Sequence, residues 1–138
     1  MINENMMNDV KKIVEYLVDG KYNELKKKGN IGVDKALVLK SAIDSYLTSD
    51  EKLTMPPDNF FQPKDFLEND MSVCELVSYE ASKEKFSIYF DFWVNDKKKI
   101  DFTLGCMATV DDSGCANVII DEIRLGSDFI DLASNNIL

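Results

Sequence analysis

The residues of this chain best placed to do chemistry are carboxylates on predicted strands. In "FSIYFDFWVNDKKKIDFTLGC", Phe86 to Cys106, Asp91 and Asp101 lie amid heavy apolar residues, and "IIDEIRL" adds Asp121, Glu122 and Arg124. If register brings these strands together, the grouped carboxylates could share a proton or hold a divalent cation. On the open face of an antiparallel sheet, however, acidic residues are ordinarily just solvated. Tyr89 and Trp93 alternate with Asp91, which opens a second chemistry: aromatic and arginine side chains beside carboxylates have the composition of a protein-binding hot region. The candidate partner-binding residues are therefore Tyr89, Asp91, Trp93, Asp101, Asp121, Glu122 and Arg124. Asp101 with Thr103 could equally satisfy neighbouring backbone amides, and Trp93 could be covered by the Pro-rich connection or the tail.

What is missing narrows the chemistry further. The chain has no histidine, which excludes Ser-His-Asp and Cys-His nucleophiles, imidazole acid-base catalysis and His-ligated zinc. Gly29 and Gly32 lie in "KGNIGVDK", which matches no phosphate-cradling loop. "DDSG", Asp111 to Gly114, lacks the alternating acids and distal glutamate of a calcium loop and reads as a tight turn. The expectation is a non-enzymatic protein with no catalytic residues, no metal and no cofactor.

The candidate residues need a scaffold, and the hydrophobic period supplies one. From Glu4 to Asp19, Met6, Met7, Val10, Ile13, Val14, Leu17 and Val18 recur at amphipathic helical spacing, with Asn3 or Asn5 as cap and Gly20 as stop. "KYNELKKKG" predicts a short helix with Tyr22 and Leu25 inward, closed by Gly29 after three lysines that suit a helix C-terminus. A third helix is predicted over Val33 to Leu47, burying Val33, Leu37, Ile43 and Leu47 with Ala36, Leu39 and Tyr46. Pro56, Pro57 and Pro63 then mark the chief connection, which Phe60, Phe61 and Phe66 would pin to the core.

Beyond it the period falls to two. Val73 to Tyr79, Phe86 to Val94, Ile100 to Val110 and Val118 to Leu125 read as strands joined by short polar links, hence an antiparallel meander. Phe86, Ile88, Phe90, Phe92 and Val94, with Ile100, Phe102 and Leu104, make the core face; Ser87, Tyr89, Asp91, Trp93, Asp101 and Thr103 make the other. The tail from Ser127 suggests a short helix. Helices followed by a run of strands predict an α+β fold: N-terminal helices on a curved antiparallel sheet of about four strands, with a cystatin-like arrangement as one form.

At 138 residues the chain reads as a single domain, residues 1–138, able to bury roughly two thirds of the surface that its unfolded form exposes. Sixteen basic against 25 acidic residues give a net charge of −9, which repels the phosphates of nucleic acid and suits fast association with a basic protein surface, although many cytoplasmic proteins are equally acidic with no such purpose. "MINENMMNDVKKIVEYL" is not a signal peptide, and no run is long enough for a membrane helix, so a cytoplasmic location away from membranes is expected. Cys74, Cys106 and Cys115 form no CxxC pair and read as free thiols. Oligomeric state has no signature in the sequence.

Several stretches together also resemble a family. "LVDGKYNEL", "TMPP", "FDFWVNDKKKIDFTL" and "IIDEIRL" are similar, in order, to a family of small uncharacterised bacterial proteins with LVxGxYxxL, PP, DLW[ST], SDLTL and IDDIxVL. The likeness runs from about Leu17 to Leu125. Similar small proteins serve as immunity proteins of polymorphic toxin and contact-dependent growth inhibition systems. The family's recurring residues fall on Gly20, Tyr22, Pro56, Pro57, Asp91, Trp93, Asp101, Thr103, Asp121 and Glu122, with departures at Val94, Ile100 and Arg124.

What the resemblance implies is an immunity protein that binds a cognate toxin C-terminal domain; the acidic surface would speed capture of a basic toxin such as a nuclease. Two other readings stay open. One is a small-ligand-binding or enzymatic cone-shaped domain with a pocket of Tyr89, Trp93 and carboxylates, for which Asp91 and Asp101 would converge. The other is a subunit of a hetero-complex, for which an exposed apolar patch would be the sign.

Overall fold

A computed structural model describes residues 4–57, 61, 77–78, 85–111, 113 and 115–133. Three helices, α1 (Glu4–Val18), α2 (Tyr22–Lys27) and α3 (Val33–Tyr46), precede strands β1 (Leu53–Thr54), β2 (Val77–Ser78), β3 (Lys85–Val94), β4 (Lys97–Val110), β5 (Ala116–Leu125) and β6 (Asp128–Asp131). The fold is α+β. The antiparallel sheet has the order β1-β3-β4-β5-β6, with β2 pairing beside β1 along β3. It has six strands rather than four because β1 and β6 are too short to give a periodic signal.

Glycines end the first two helices as expected. Gly20 and Gly29 sit at φ +72° and +74°, a conformation that costs a residue with a Cβ. At each, paired reverse bonds close the helix: Gly20 to Leu17 and Lys21 to Tyr16, then Gly29 to Lys26 and Asn30 to Leu25. The second closure has a further effect. It delivers Asn30 to the edge of β5, where its carbonyl accepts from the Ile120 amide at 2.7 Å and its Nδ2 donates to the Val118 carbonyl at 2.8 Å. Asn30 and β6 thus occupy successive lengths of one strand edge. Asn5 lies inside α1, and Asn3 lies outside the described residues.

The core lies between α1 and the sheet's inner face. Met6, Met7, Val10, Ile13, Val14 and Leu17 are all buried, as the helical spacing requires. On the sheet, Ile88, Phe90, Phe92 and Val94 alternate inward from β3, opposite Phe102, Leu104 and Cys106 of β4. A line of ring contacts runs through them, Phe61 to Phe90 (5.6 Å), Phe90 to Phe92 (5.7 Å), Phe92 to Phe102 (4.5 Å) and Phe102 to Tyr46 (4.9 Å). Phe61 therefore does pin the Pro-rich connection. Phe60, Pro63 and Phe66 lie outside the described residues, as does most of the strand expected over Val73 to Tyr79.

Three expectations fail for physical reasons. In α3 Ala36, Leu39 and Ile43 are buried, but Val33 and Leu37 are 70% and 69% exposed. The helix is apolar on more than one side, so spacing alone could not choose the buried one. Ile100 is also exposed, because Asp91 pairs with Thr103 while Trp93 pairs with Lys98: one residue of β3, Phe92, faces four of β4, Lys99 to Phe102. That bulge resets the alternation. Finally, the tail forms strand β6 instead of a helix, pairing Asp128–Asp131 with Glu122–Leu125.

Candidate functional site

The sheet's outer face carries the candidate residues in rows fixed by register. Tyr89 pairs with Gly105, Gly105 with Glu122 and Glu122 with Asp131. The adjacent row runs Asp91, Thr103, Arg124, Phe129. Tyr89 and Asp91 of β3 and Glu122 and Arg124 of β5, two strands separated by β4, are thereby neighbours. The sequence reading missed four members of these rows: Thr103 as a hydrogen-bond donor, Gly105, Phe129 and Asp131.

Gly105 makes the close packing possible. A Cβ there would stand 2.5 Å from Cγ of Glu122 and 3.2 Å from Cε1 of Tyr89, so both side chains lie over a glycine that leaves them room. A glycine inside a strand pattern is itself the sequence signal for such an approach. Above it, Arg124 donates from Nε to Oε2 of Glu122 at 2.6 Å and sets its guanidinium 5.0 Å from the Tyr89 ring centroid. Glu122 is 9% exposed. A carboxylate so sheltered requires a charged partner, and Arg124 supplies one while keeping half of its own side chain in solvent.

Beside this trio Thr103 donates from Oγ1 to Oδ1 of Asp91 at 2.7 Å. The bond spends one lone pair of Asp91 and holds the carboxylate along the sheet. Phe129, 57% exposed, ends the row on β6.

Asp101, Asp121 and Trp93 stand differently. Asp101 is an exposed bulge residue at φ +63°, and its carbonyl accepts from the Gly126 amide at 2.6 Å. Its role there is to tie the bulge to the β5–β6 turn, and its side chain shares no hydrogen bond with Asp91. Asp121 is the extra residue of a second bulge, since Gly105 pairs with Glu122 but Cys106 with Ile120. Burial raises its carboxyl pKa above the ordinary value, and the charges of Glu122 and Asp131 raise it further. Trp93 is half-buried, opposite Lys98 on β4 and Thr54 on β1, so the start of the Pro-rich connection runs beside it.

Among the described residues no group of three or more Cys, Asp or Glu side chains has the arrangement of a metal site. Cys106 is buried, its thiol pushed up to about 12 by burial and by Asp121, whereas Cys115 is exposed; both are free thiols. Asp111 receives the amides of Ser113 and Cys115 at 2.9 and 3.0 Å, the geometry of a self-capped turn. No described helix is long and apolar enough to cross a membrane.

Residues 14–125 match a family described as a domain of unknown function, DUF7668. The chain belongs to that family. The match begins within α1 and ends with the last residue of β5, so it takes in Tyr89, Asp91, Glu122 and Arg124 and leaves out Phe129 and Asp131 on β6. No curated protein matches the chain, and no solved structure does.

Proposed function

We propose that this chain is a non-enzymatic binding protein whose sheet face around Arg124 captures a partner protein, and specifically that it is an immunity protein for a basic toxin domain. One observation carries the binding reading: Arg124, half exposed and stacked on Tyr89, stands in register with Phe129, also exposed. An arginine already oriented by a buried carboxylate and an aromatic ring loses little freedom on binding, which is how such residues come to dominate interface energies. The toxin reading adds the net charge of −9, which would speed capture of a cationic domain, and the family resemblance of the hairpin and β5 motifs.

Binding is favoured over a carboxylate-pair reaction by the separate duties of Asp91 and Asp101. The first accepts from Thr103, and the second occupies a bulge whose carbonyl is engaged by Gly126.

The test is co-expression with a toxin domain encoded beside this gene. Restored growth and a co-purifying complex are expected, with Arg124→Ala and Phe129→Ala each weakening binding by roughly tenfold or more, the loss typical of a hot-spot residue. A toxin domain that kills equally with or without the chain, and never co-purifies with it, would sink the immunity reading. A complex insensitive to both substitutions would move the interface elsewhere.

A further inference from the structure

A second surface lies apart from the outer face, on the opposite flank of β6. Leu37, Val38, Ser41, Ala42 and Ser45 of α3 and Ile130 of β6 line an open groove of about 470 Å³. Leu37 is 69% and Val38 40% exposed, and Val33, one turn earlier, is 70% exposed. Apolar residues gathered in this way on a surface mark an interaction site more often than chance exposure does. β6 ends the strand order, with β5 as its only neighbour among the described residues.

Charge says what would fit. Tyr46, the last residue of α3, has its hydroxyl 3.7 Å from the point where a Cβ on Gly126 would stand, so Gly126, two residues before Asp128, passes the C-terminal end of α3. Asp128 shares its side of β6 with Ile130 by strand alternation. At the groove's other end Asp34 lies one turn before Val38. Both aspartates are exposed, and neither has a lysine or arginine at ion-pair distance among the described residues. On the helix Lys40 is already held by Asp44 at 2.7 Å, which leaves half-buried Lys35 as the cation nearest in sequence. A second copy of the chain is a poor occupant, since each copy carries −9 and would bring the same aspartates with it.

We infer that the groove between α3 and β6 receives an extended segment of a partner protein, apolar at its centre and basic at both ends, laid along the β6 edge. Strand addition at a sheet edge takes affinity from main-chain bonds and specificity from alternate side chains, here received by Leu37, Val38 and Ile130. The inference does not rest on the partner's being a toxin.

The experiment uses the full chain and a synthetic peptide of alternating valine and threonine with a lysine pair at each end, beside a counterpart ended by glutamates. Binding is followed by fluorescence anisotropy and by the methyl resonances of Leu37, Val38 and Ile130. The lysine-ended peptide should bind and shift those methyls, and Leu37→Glu should weaken it by roughly tenfold or more. Charge reversal at Asp34 and Asp128 together should transfer the preference to the glutamate-ended peptide. Leu37, Asp34 and Asp128 are exposed, so an unchanged thermal midpoint separates lost binding from lost fold. Failure of the lysine-ended peptide to bind, or binding that survives Leu37→Glu, would overturn the inference. So would self-association of the chain that Leu37→Glu abolishes, which would give the groove to a second copy.

Discussion

Along β3 the inner side chains Ile88, Phe90, Phe92 and Val94 are all buried, whereas the outer side chains Tyr89, Asp91 and Trp93 between them are half-buried. The inner set is held by ring contacts and shape. The outer set is held by directed pairs, Thr103 to Asp91 and Arg124 to Glu122, over the space left by Gly105. Loss of an inner contact leaves a void in a close-packed interior; loss of an outer one leaves a polar group without its partner. One face thus stores most of the stability, and the other stores orientation.

The contrast can be broken from either side. Phe92→Ala, which removes a buried ring touching both Phe90 and Phe102, should cost about 3–5 kcal/mol in urea unfolding, the largest effect of the series. Gly105→Ala should come next, at about 1–3 kcal/mol, because its methyl must displace the Glu122 side chain; a loss of the Arg124–Glu122 pair should show in the arginine Nε–H resonance. Thr103→Val keeps the shape and removes the donor to Asp91, so about 1–2 kcal/mol is expected. If Thr103→Val cost as much as Phe92→Ala, the division between the faces would be wrong.

Asp121→Asn sharpens the contrast through pH. The folded chain raises the Asp121 carboxyl pKa, so the folded state holds the proton more tightly than the unfolded state does. Its contribution is fully present below the unfolded value near 3.8 and is lost as pH rises through the folded value. Asp121→Asn should therefore be the more stable protein at neutral pH, with the advantage shrinking as the solution is acidified towards about pH 4. Urea midpoints for both proteins across that range measure it. The smallest effect is expected at the surface: Lys40→Ala breaks an exposed i,i+4 pair with Asp44 and should change stability by about 0.5 kcal/mol or less.

Local regularity decided what the sequence could show. α1, α2 and strands β3 to β5 follow from spacing, because each presents one clear apolar stripe or alternation to the core. Alternation puts Ile100 on the wrong face because a bulge is a tertiary event: Asp101 adopts φ +63° to meet the Gly126 amide, 25 positions along the chain, and no local pattern announces that. The tail suggests a helix where β6 stands because four residues carry too little period to choose. Of the candidate site, Tyr89, Asp91, Glu122 and Arg124 were legible as outward residues on long strands. Phe129 and Asp131 joined them only through pairing with a strand too short to read, and Gly105 only through what its missing side chain admits.

The bonds between Asn30 and β5 also bear on how the protein is made. The Asn30 side chain reaches Val118, 88 positions later, and α1 packs against β5. During synthesis α1 therefore emerges with Met6, Met7, Val10 and Ile13 exposed, and their cover on β5 is translated only about a hundred residues later. At about 5–20 residues per second that interval lasts several seconds, far longer than a helix needs to form. A nascent chain in this condition is a natural client for a holding chaperone, and shortening the wait, by a permuted gene that translates β5 ahead of α1, should reduce that dependence.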